Sequence, residues 1–357
     1  MTPADQYTAY RILDANFNRV SEGLRVVEDY LRFGEGDRHL TERVKRLRHD
    51  LTSALAPLGE LPRLATRNTP GDIGTAVSTP QEGERHSFAD LVDANWQRVQ
   101  QGLRTMEEYA KLLDANVACK LEALRYESYT LAKATALTRD ALARLRDARV
   151  YVLIPGLDSP ETFASVVSEL IAAEVDLIQL RDQHLEDRVL VTRAHQLRRL
   201  THGTKTLFIM NDRPDLAALS AADGVHVGQD ELTVADCRRI VGPNALIGVS
   251  THSLAQARQA VLDGANYLGC GPTFPSTTKS FGEFPGPAFL REVAAEISLP
   301  AFAIGGIGPH NIDAVTAAGV RRVAVSGVVV ASPRPGDIVR ELRTRLLDPT
   351  LPPAAHA

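Results

Sequence analysis

"VDLIQLR", residues 175–181, sets the rhythm that decides the fold. It is one of eight short apolar segments that run into polar or glycine residues. The other seven are "ARVYVLI" (148–154), "TLFIMN" (206–211), "GVHVGQ" (224–229), "LIGVST" (246–251), "YLGCGP" (267–272), "AFAIGG" (301–306) and "RVAVSG" (322–327). Charged amphipathic stretches separate them. A strand followed by a helix, eight times within about 200 residues, predicts a (β/α)8 TIM barrel of α/β class over residues 148–345. A doubly wound open sheet is the alternative, but no GxGxxG follows the first strand. The tail, 346–357, ending "LPPAAHA", reads as disordered.

Residues 1–147 have a different period. Leu13, Phe17, Val20, Leu24, Val27 and Leu31 recur at steps of four and three, an apolar seam at helical spacing. "DANFNRVSEGLRVVEDY" (14–30) returns as "DANWQRVQQGLRTMEEY" (93–109), with ten of seventeen positions identical. The prediction is an all-α helical bundle with an internal duplication, two helical hairpins joined by the Pro/Gly/Thr-rich loop 67–83. On a helical wheel the shared polar residues flank the seam on both sides. Gly23 and Gly102 sit inside the helices, where glycine is unfavourable, and so point to close approach of a backbone or a ligand. Two readings stay open. One is a packed helix interface carrying Arg25–Glu28 and Arg104–Glu107 pairs. The other is a second small-molecule site using Asn16, Arg19, Asn95 and Arg98, with Arg67, Thr69 and Asp72 from the loop.

A chain of 357 residues has room for two cores. A net charge of −4 with mixed signs leaves no footprint for nucleic acid. Three scattered cysteines without a CxxC argue against a disulfide framework or zinc site. With no signal pattern and no apolar run near a membrane span, a cytoplasmic location is expected. A homo-oligomer is compatible with either reading.

Barrels of this kind work at the C-terminal ends of their strands. Those ends carry Gln179 and Arg181; Asn211 and Asp212; Gln229, Asp230 and Glu231; Ser250 and then His252; "GPTFPSTTK" with Lys279; Gly305-Gly306; and Ser326-Gly327. The glycine pair after strand 7 and the Ser-Gly after strand 8 stand where barrels bind phosphate through backbone N–H groups, although a tight turn would use the same glycines. Asp212 reads either as the N-cap of a helix opening at Pro214 or, with Glu231, as half of a magnesium–diphosphate clamp facing Arg181 and Lys279. His226 lies within a strand and reads as a core histidine. No Ser-His-Asp or Cys-His constellation is visible.

Taken in order, "IQLRD", "NDRPDLA", "ADGVHVGQDE", "GVSTHS", "GPTFPSTTKS" and "AIGGI" resemble thiamine phosphate synthase over residues 148–345. The resemblance implies condensation of a pyrimidine methyl diphosphate with a thiazole phosphate to give thiamine phosphate and diphosphate, with Mg2+. It implies that Gln179, Arg181, Asn211, Ser250 and Lys279 hold the pyrimidine diphosphate, Arg181, Ser250 and Lys279 acting on the reacting bond. It implies magnesium on Asp212 and Glu231. It places Ser276, Thr277 and Thr278 along the thiazole pocket, with Gly306, Ser326 and Gly327 on its phosphate. Two positions depart from the family pattern. Gln183 stands where a lysine near the diphosphate is usual, and Glu231, preceded by Asp230, where an aspartate is usual. The first 147 residues resemble a domain fused to some of these synthases and proposed to phosphorylate the pyrimidine phosphate, although no P-loop is visible. The rivals are a thiazole tautomerase, which His252 would suit, and a non-catalytic protein that binds thiamine precursors, which Gln183 would suit.

Overall fold

The structure, a computed structural model, describes residues 1–73, 84–275 and 284–347. It divides into two compact units, Met1–Ala136 and the chain from Leu137 onward. From residue 348 the tail lies outside the described residues. Among the described residues no helix is long and apolar enough to cross a membrane. The three cysteines are free.

The first unit is helical. Its helices are α1 (Pro3–Tyr30), α2 (Arg38–Leu55), α3 (Glu60–Ala65), α4 (Phe88–Ala110) and the start of α5 (Ala115–Arg144). Thr2 and Asp5 close a capping box on α1, and Ser87 caps α4. The duplicated seams face inward. Leu13, Val20, Leu24 and Val27 of α1 and Val92, Val99 and Met106 of α4 are fully buried. A Cβ on Gly23 would meet Val99 and the Asn95 carbonyl, and one on Gly102 would meet Val20, with the Asn16 carbonyl next. Those pairings run in opposite order along the two helices, so α1 and α4 cross antiparallel, related by a local two-fold, with a glycine at each close approach. Each repeat also buries one glutamate against two arginines. Glu28 meets Arg25 (3.5 Å) and Arg48 (3.1 Å), while Glu107 meets Arg104 (2.7 Å) and Arg125 (2.8 Å). One arginine lies three residues earlier on the same helix, and the other comes from the next helix.

The second unit is a closed parallel barrel with strand order β1 to β8. The strands are β1 (Val150–Ile154), β2 (Leu177–Leu180), β3 (Leu207–Asn211), β4 (Gly224–Val227), β5 (Leu246–Thr251), β6 (Tyr267–Cys270), β7 (Ala301–Ile304) and β8 (Val323–Val325). The helices between them are α6 (Pro160–Ala172), α7 (Asp187–Thr201), α8 (Pro214–Leu219), α9 (Val234–Val241), α10 (Leu254–Asp263), α11 (Gly286–Glu296) and α12 (Ile312–Ala317). After β8 come α13 (Gly327–Val330) and α14 (Pro335–Leu346). Tyr151, Leu177, Ile209, Leu246, Tyr267, Phe302 and Ala324 fill the interior. Side chains alternate along a strand, so the next inward position, two residues on, lies one layer nearer the mouth.

At the opposite end, polar residues just before alternate strands tie the strand starts together. Asp176 accepts from the N–H groups of Arg149 (2.8 Å) and Val150 (2.9 Å), Asp223 from Phe208 (2.7 Å), and Asn266 from Ile247 (2.9 Å). These bonds satisfy backbone groups that have no neighbour in the sheet.

Candidate active site

A cavity of about 910 Å³ is lined by the strand ends and the loops after them. Gln179 is fully buried on β2. Arg181 follows the strand, its backbone N–H donating to Ile154 O (2.9 Å). The next residue, Asp182, accepts from the N–H groups of Gly156 (3.0 Å), His184 (2.9 Å) and Leu185 (3.0 Å). Burial pushes this carboxyl up, but the three donors outweigh it and hold it below its ordinary value. The loop carrying Arg181 and Gln183 is therefore tied to the end of β1.

Asn211 ends β3, and Asp212 follows with φ 56°, in the left-handed region. Arg213 N–H donates back to Asn211 O (2.7 Å), which closes a three-residue turn around Asp212. The Asn211 amide donates to Asp212 Oδ2 at 2.6 Å. Arg213 is fixed in turn by Asp215 (2.7 Å) and Asp187 (2.6 Å). Left-handed backbone is unfavourable for most residues, and aspartate is among those that tolerate it. The N-cap reading of Asp212 does not survive. Helix α8 starts at Pro214, and Arg213 holds the cap position without a side-chain bond. The turn instead aims the Asp212 carboxylate at the cavity, where the exposed Asp230 and Glu231 join it.

Across the mouth, Ser250 Oγ lies 2.9 Å from His226 Nε2, and Gln229 donates to Ser250 O (2.6 Å). A Ser–His pair is thus present that the sequence did not show. Its third member is the Tyr267 hydroxyl, 3.3 Å from His226 Nδ1. A neutral hydroxyl does not stabilise an imidazolium as a triad aspartate does, so the pair is not set up for acyl transfer. His252 Nδ1 stands 2.6 Å from Gly271 O. A carbonyl only accepts, so Nδ1 carries the proton.

Gly305 (φ 100°) and Gly306 (φ 64°) are needed for two reasons. Both have left-handed backbone, and a Cβ on either would strike residues 272–275, at 2.8 Å from Pro272 Cα or 2.6 Å from Pro275 O. A Cβ on Gly327 would meet nothing within 4 Å, so its backbone faces open space.

The chain matches the thiamine monophosphate synthase family model over residues 150–329 and the ThiD2 family model over residues 11–134. It is 44% identical to a thiamine-phosphate synthase of Rhodopirellula baltica, with 92% of this chain and 90% of that protein covered. A second, from Gloeobacter violaceus, is 42% identical over 94% of this chain and 96% of that one. The chain belongs to the thiamine-phosphate synthase family, a family of transferases. Its barrel superposes on the thiamine phosphate pyrophosphorylase of Pyrococcus furiosus with a TM-score of 0.51 and 31% identity, covering 57% of this chain and 97% of that one.

In this synthase-family barrel the cavity gathers Gln179, Arg181, Gln183, Asn211, Asp212, Glu231, Ser250, Gly306, Ser326 and Gly327, with Asp230 and His252. Ser276, Thr277, Thr278 and Lys279 lie outside the described residues. In the helical unit the four candidate residues separate. Asn16 and Asn95 are buried at the crossing of α1 and α4, each donating to the carbonyl four residues earlier, while Arg19 and Arg98 are exposed. Arg67 forks onto Asp14 at 2.7 and 2.9 Å, and the Thr69 carbonyl accepts from Asp72 N–H (3.1 Å). Strand ends alone did not flag Tyr151, Phe302 or Tyr267. The first two line the cavity from deeper in their strands, and Tyr267 stands behind His226. The alternation within "ARVYVLI" carried that signal, since Tyr151 and Leu153 share a face.

Proposed function

We propose that the barrel joins 4-amino-2-methyl-5-(diphosphooxymethyl)pyrimidine to 4-methyl-5-(2-phosphooxyethyl)thiazole, giving thiamine phosphate and diphosphate by dissociative substitution. The observation that carries this is the convergence on one cavity of an amide (Gln179), a guanidinium (Arg181), two strand-end acids (Asp212, Glu231) and a glycine cradle (Gly306, Gly327). Among the described residues that line it, Arg181 is the one lysine or arginine, and no acid pairs with it.

The bond from the pyrimidine methylene to diphosphate breaks first, its electron pair leaving with the oxygen. The thiazole nitrogen then attacks the pyrimidine-methyl cation. No proton needs to move. Arg181 and Ser250 bind the departing diphosphate, and Arg181 stabilises the charge that develops on it. Gln179 orients the pyrimidine from below. The backbone at Gly306 and Ser326-Gly327 holds the thiazole phosphate, so that the nitrogen is presented in line.

The donor set fits magnesium. Asp212 and Glu231, or Asp230, offer hard carboxylate oxygens on one cavity wall, and magnesium takes one or two of these beside phosphate oxygens. When bound, such an ion would neutralise charge on the leaving group. For the helical unit, the buried crossing supports a packing role for Asn16 and Asn95, while the ThiD2 match keeps the pyrimidine phosphate kinase reading under test.

The experiment supplies both phosphorylated halves with and without magnesium, then pyrimidine monophosphate with ATP in place of the diphosphate. Thiamine phosphate formed only with magnesium supports the synthase. Thiazole isomerisation without metal, and no condensation, would replace it with the tautomerase. Full turnover by Arg181→Ala would remove the proposed diphosphate site. Product from monophosphate and ATP would support the kinase.

A further inference from the structure

Five side chains from five strands form one line of hydrogen bonds across the barrel interior. Gln179 Nε2 (β2) donates to the Tyr151 hydroxyl (β1). That hydroxyl lies 3.1 Å from the Tyr267 hydroxyl (β6). Tyr267 meets His226 Nδ1 (β4), and His226 Nε2 meets Ser250 Oγ (β5). The first four are buried. Glycines make the room. A Cβ on Gly248 would stand 2.1 Å from Tyr267 Cζ and 2.5 Å from His226 Nδ1, and one on Gly269 would stand 3.0 Å from His226 Cε1.

Both ends of the line face the cavity. Ser250 is half-buried at its wall. Gln179 Oε1 is buried and has no hydrogen-bond partner. An orphaned buried acceptor is unfavourable, so the site gains when a ligand donor reaches it.

The links cannot point independently. Each hydroxyl has one proton to give, and a neutral imidazole has one donor and one acceptor. Burial drives both phenols above their ordinary values, so each keeps its proton. With the amide nitrogen on Tyr151, that hydroxyl donates to Tyr267, and Tyr267 donates to Nδ1. Nε2–H then donates to Ser250, whose own proton is left for the cavity. With the amide turned over, every link reverses. Ser250 then gives its proton to His226, and the cavity sees an NH2 at one end and an acceptor oxygen at the other. Any mixed arrangement leaves two protons or two lone pairs facing each other inside the barrel.

We propose that this line couples the two ends of the site: an aromatic amine donating to Gln179 Oε1 sets Ser250 as a donor toward a diphosphate oxygen, with Tyr151, Tyr267 and His226 as positioning residues. The inference rests on the pyrimidine diphosphate reading above, but its coupling is a binding property separable from turnover.

By linkage, each ligand must tighten the other. The test measures calorimetric binding of inorganic diphosphate with magnesium, with and without the aminopyrimidine methyl alcohol. In the unaltered full chain, tightening of about fivefold or more is expected. Tyr267→Phe removes one hydroxyl and keeps the ring, so it should bring the factor to about one in a folded protein whose thermal midpoint is lower, because the Tyr151 hydroxyl and His226 Nδ1 each lose a partner. Tyr151→Phe serves if that variant does not fold. An analogue with hydrogen in place of the amino group should show no tightening in either protein. Absence of coupling in the unaltered chain, or its survival in both phenylalanine variants, overturns the proposal even if thiamine phosphate is made. Coupling without product formation would sustain the proposal and overturn the condensation reading.

Discussion

Gly102→Ala tests the duplicated helix directly. In a solvent-facing helix the change stabilises by about 1 kcal/mol. Here the new Cβ would stand 2.5 Å from Val20 Cγ2, against about 3.5–4.0 Å for comfortable carbon contact. Valine in a helix keeps one χ1 rotamer, so the methyl cannot swing away and the helices must part. Overpacking of that kind costs about 1–3 kcal/mol. Taking about 2 against the propensity gain of about 1 leaves a net loss of about 1 kcal/mol. At the twin position, Gly23, the Cβ would meet Val99 Cγ2 at 3.0 Å and Asn95 O at 3.2 Å, so a smaller shift suffices. Gly23→Ala should therefore lie nearer to neutral, although the repeat in sequence makes the two sites look alike. Trp96 is the sole tryptophan of the chain and is buried in α4. Its fluorescence isolates the helical unit during denaturation of the whole protein, where a single global transition is not assured. Adding Val20→Ala to Gly102→Ala should cost less than the sum of the two single changes, by about 0.5 kcal/mol or more. If Gly102→Ala instead stabilises by about 1 kcal/mol, α1 and α4 do not meet at that residue and the crossing is wrong.

The remaining predictions concern the barrel. Arg181→Ala should lower kcat/KM on the order of ten- to a hundredfold with an unchanged circular dichroism spectrum, as expected for loss of charge-assisted bonds. Asp212→Asn keeps shape and removes charge, and titration of activity with magnesium should show half-saturation moved up on the order of tenfold. Gln183→Lys adds a cation at the cavity wall and should lower KM for the pyrimidine diphosphate about two- to fivefold, more at low salt than at high. Asp182 has a folded-state pKa below 3.8, so the stability it lends is present above that value and is lost as pH falls through the lower folded value. Asp182→Asn should therefore flatten the pH dependence of barrel unfolding below about pH 4, and a constant difference from the unaltered protein between pH 7 and pH 3 would count against the role given to its three N–H donors.

Much of this was legible because each barrel strand is buried on both faces. Such strands read as bare apolar runs, so their polar terminal residues stand out. That is how Arg181, Asn211, Asp212 and Ser250 stand out as strand-end residues, and all four line the cavity. The antiparallel crossing of α1 and α4 was not legible. Periodicity places Gly23 beside a seam but gives neither the partner nor its direction. Asp212 shows the same limit at smaller scale. "NDRP" fits a helix cap as well as a ligand, and only the left-handed backbone with the 2.7 Å bond from Arg213 N–H to Asn211 O separates them.

The Ser250–His226–Tyr267–Tyr151–Gln179 line was the hardest part to see. Its members are 28 to 116 residues apart along the chain where they touch across strands, except that His226 and Ser250 are 24 apart. Each has an ordinary separate explanation: tyrosines fill cores, a strand histidine is satisfied somewhere, and a serine ends a strand. What joins them is barrel closure. Closure brings inward residues of neighbouring layers together across the interior, and the missing side chains at Gly248 and Gly269 leave room for the His226 ring to bridge them. A glycine within a strand is normally a weakness, and here two of them admit a polar ring to the core. Alanine at 248 cannot coexist with the Tyr267–His226 bond, since its Cβ would lie 2.1 Å from Tyr267 Cζ. Gly248→Ala should thus destabilise the barrel while Tyr267 is present, and Gly248→Ala with Tyr267→Leu should recover part of that stability. Equal loss in the single and double variants would mean that strand propensity, and not the buried line, requires the glycine.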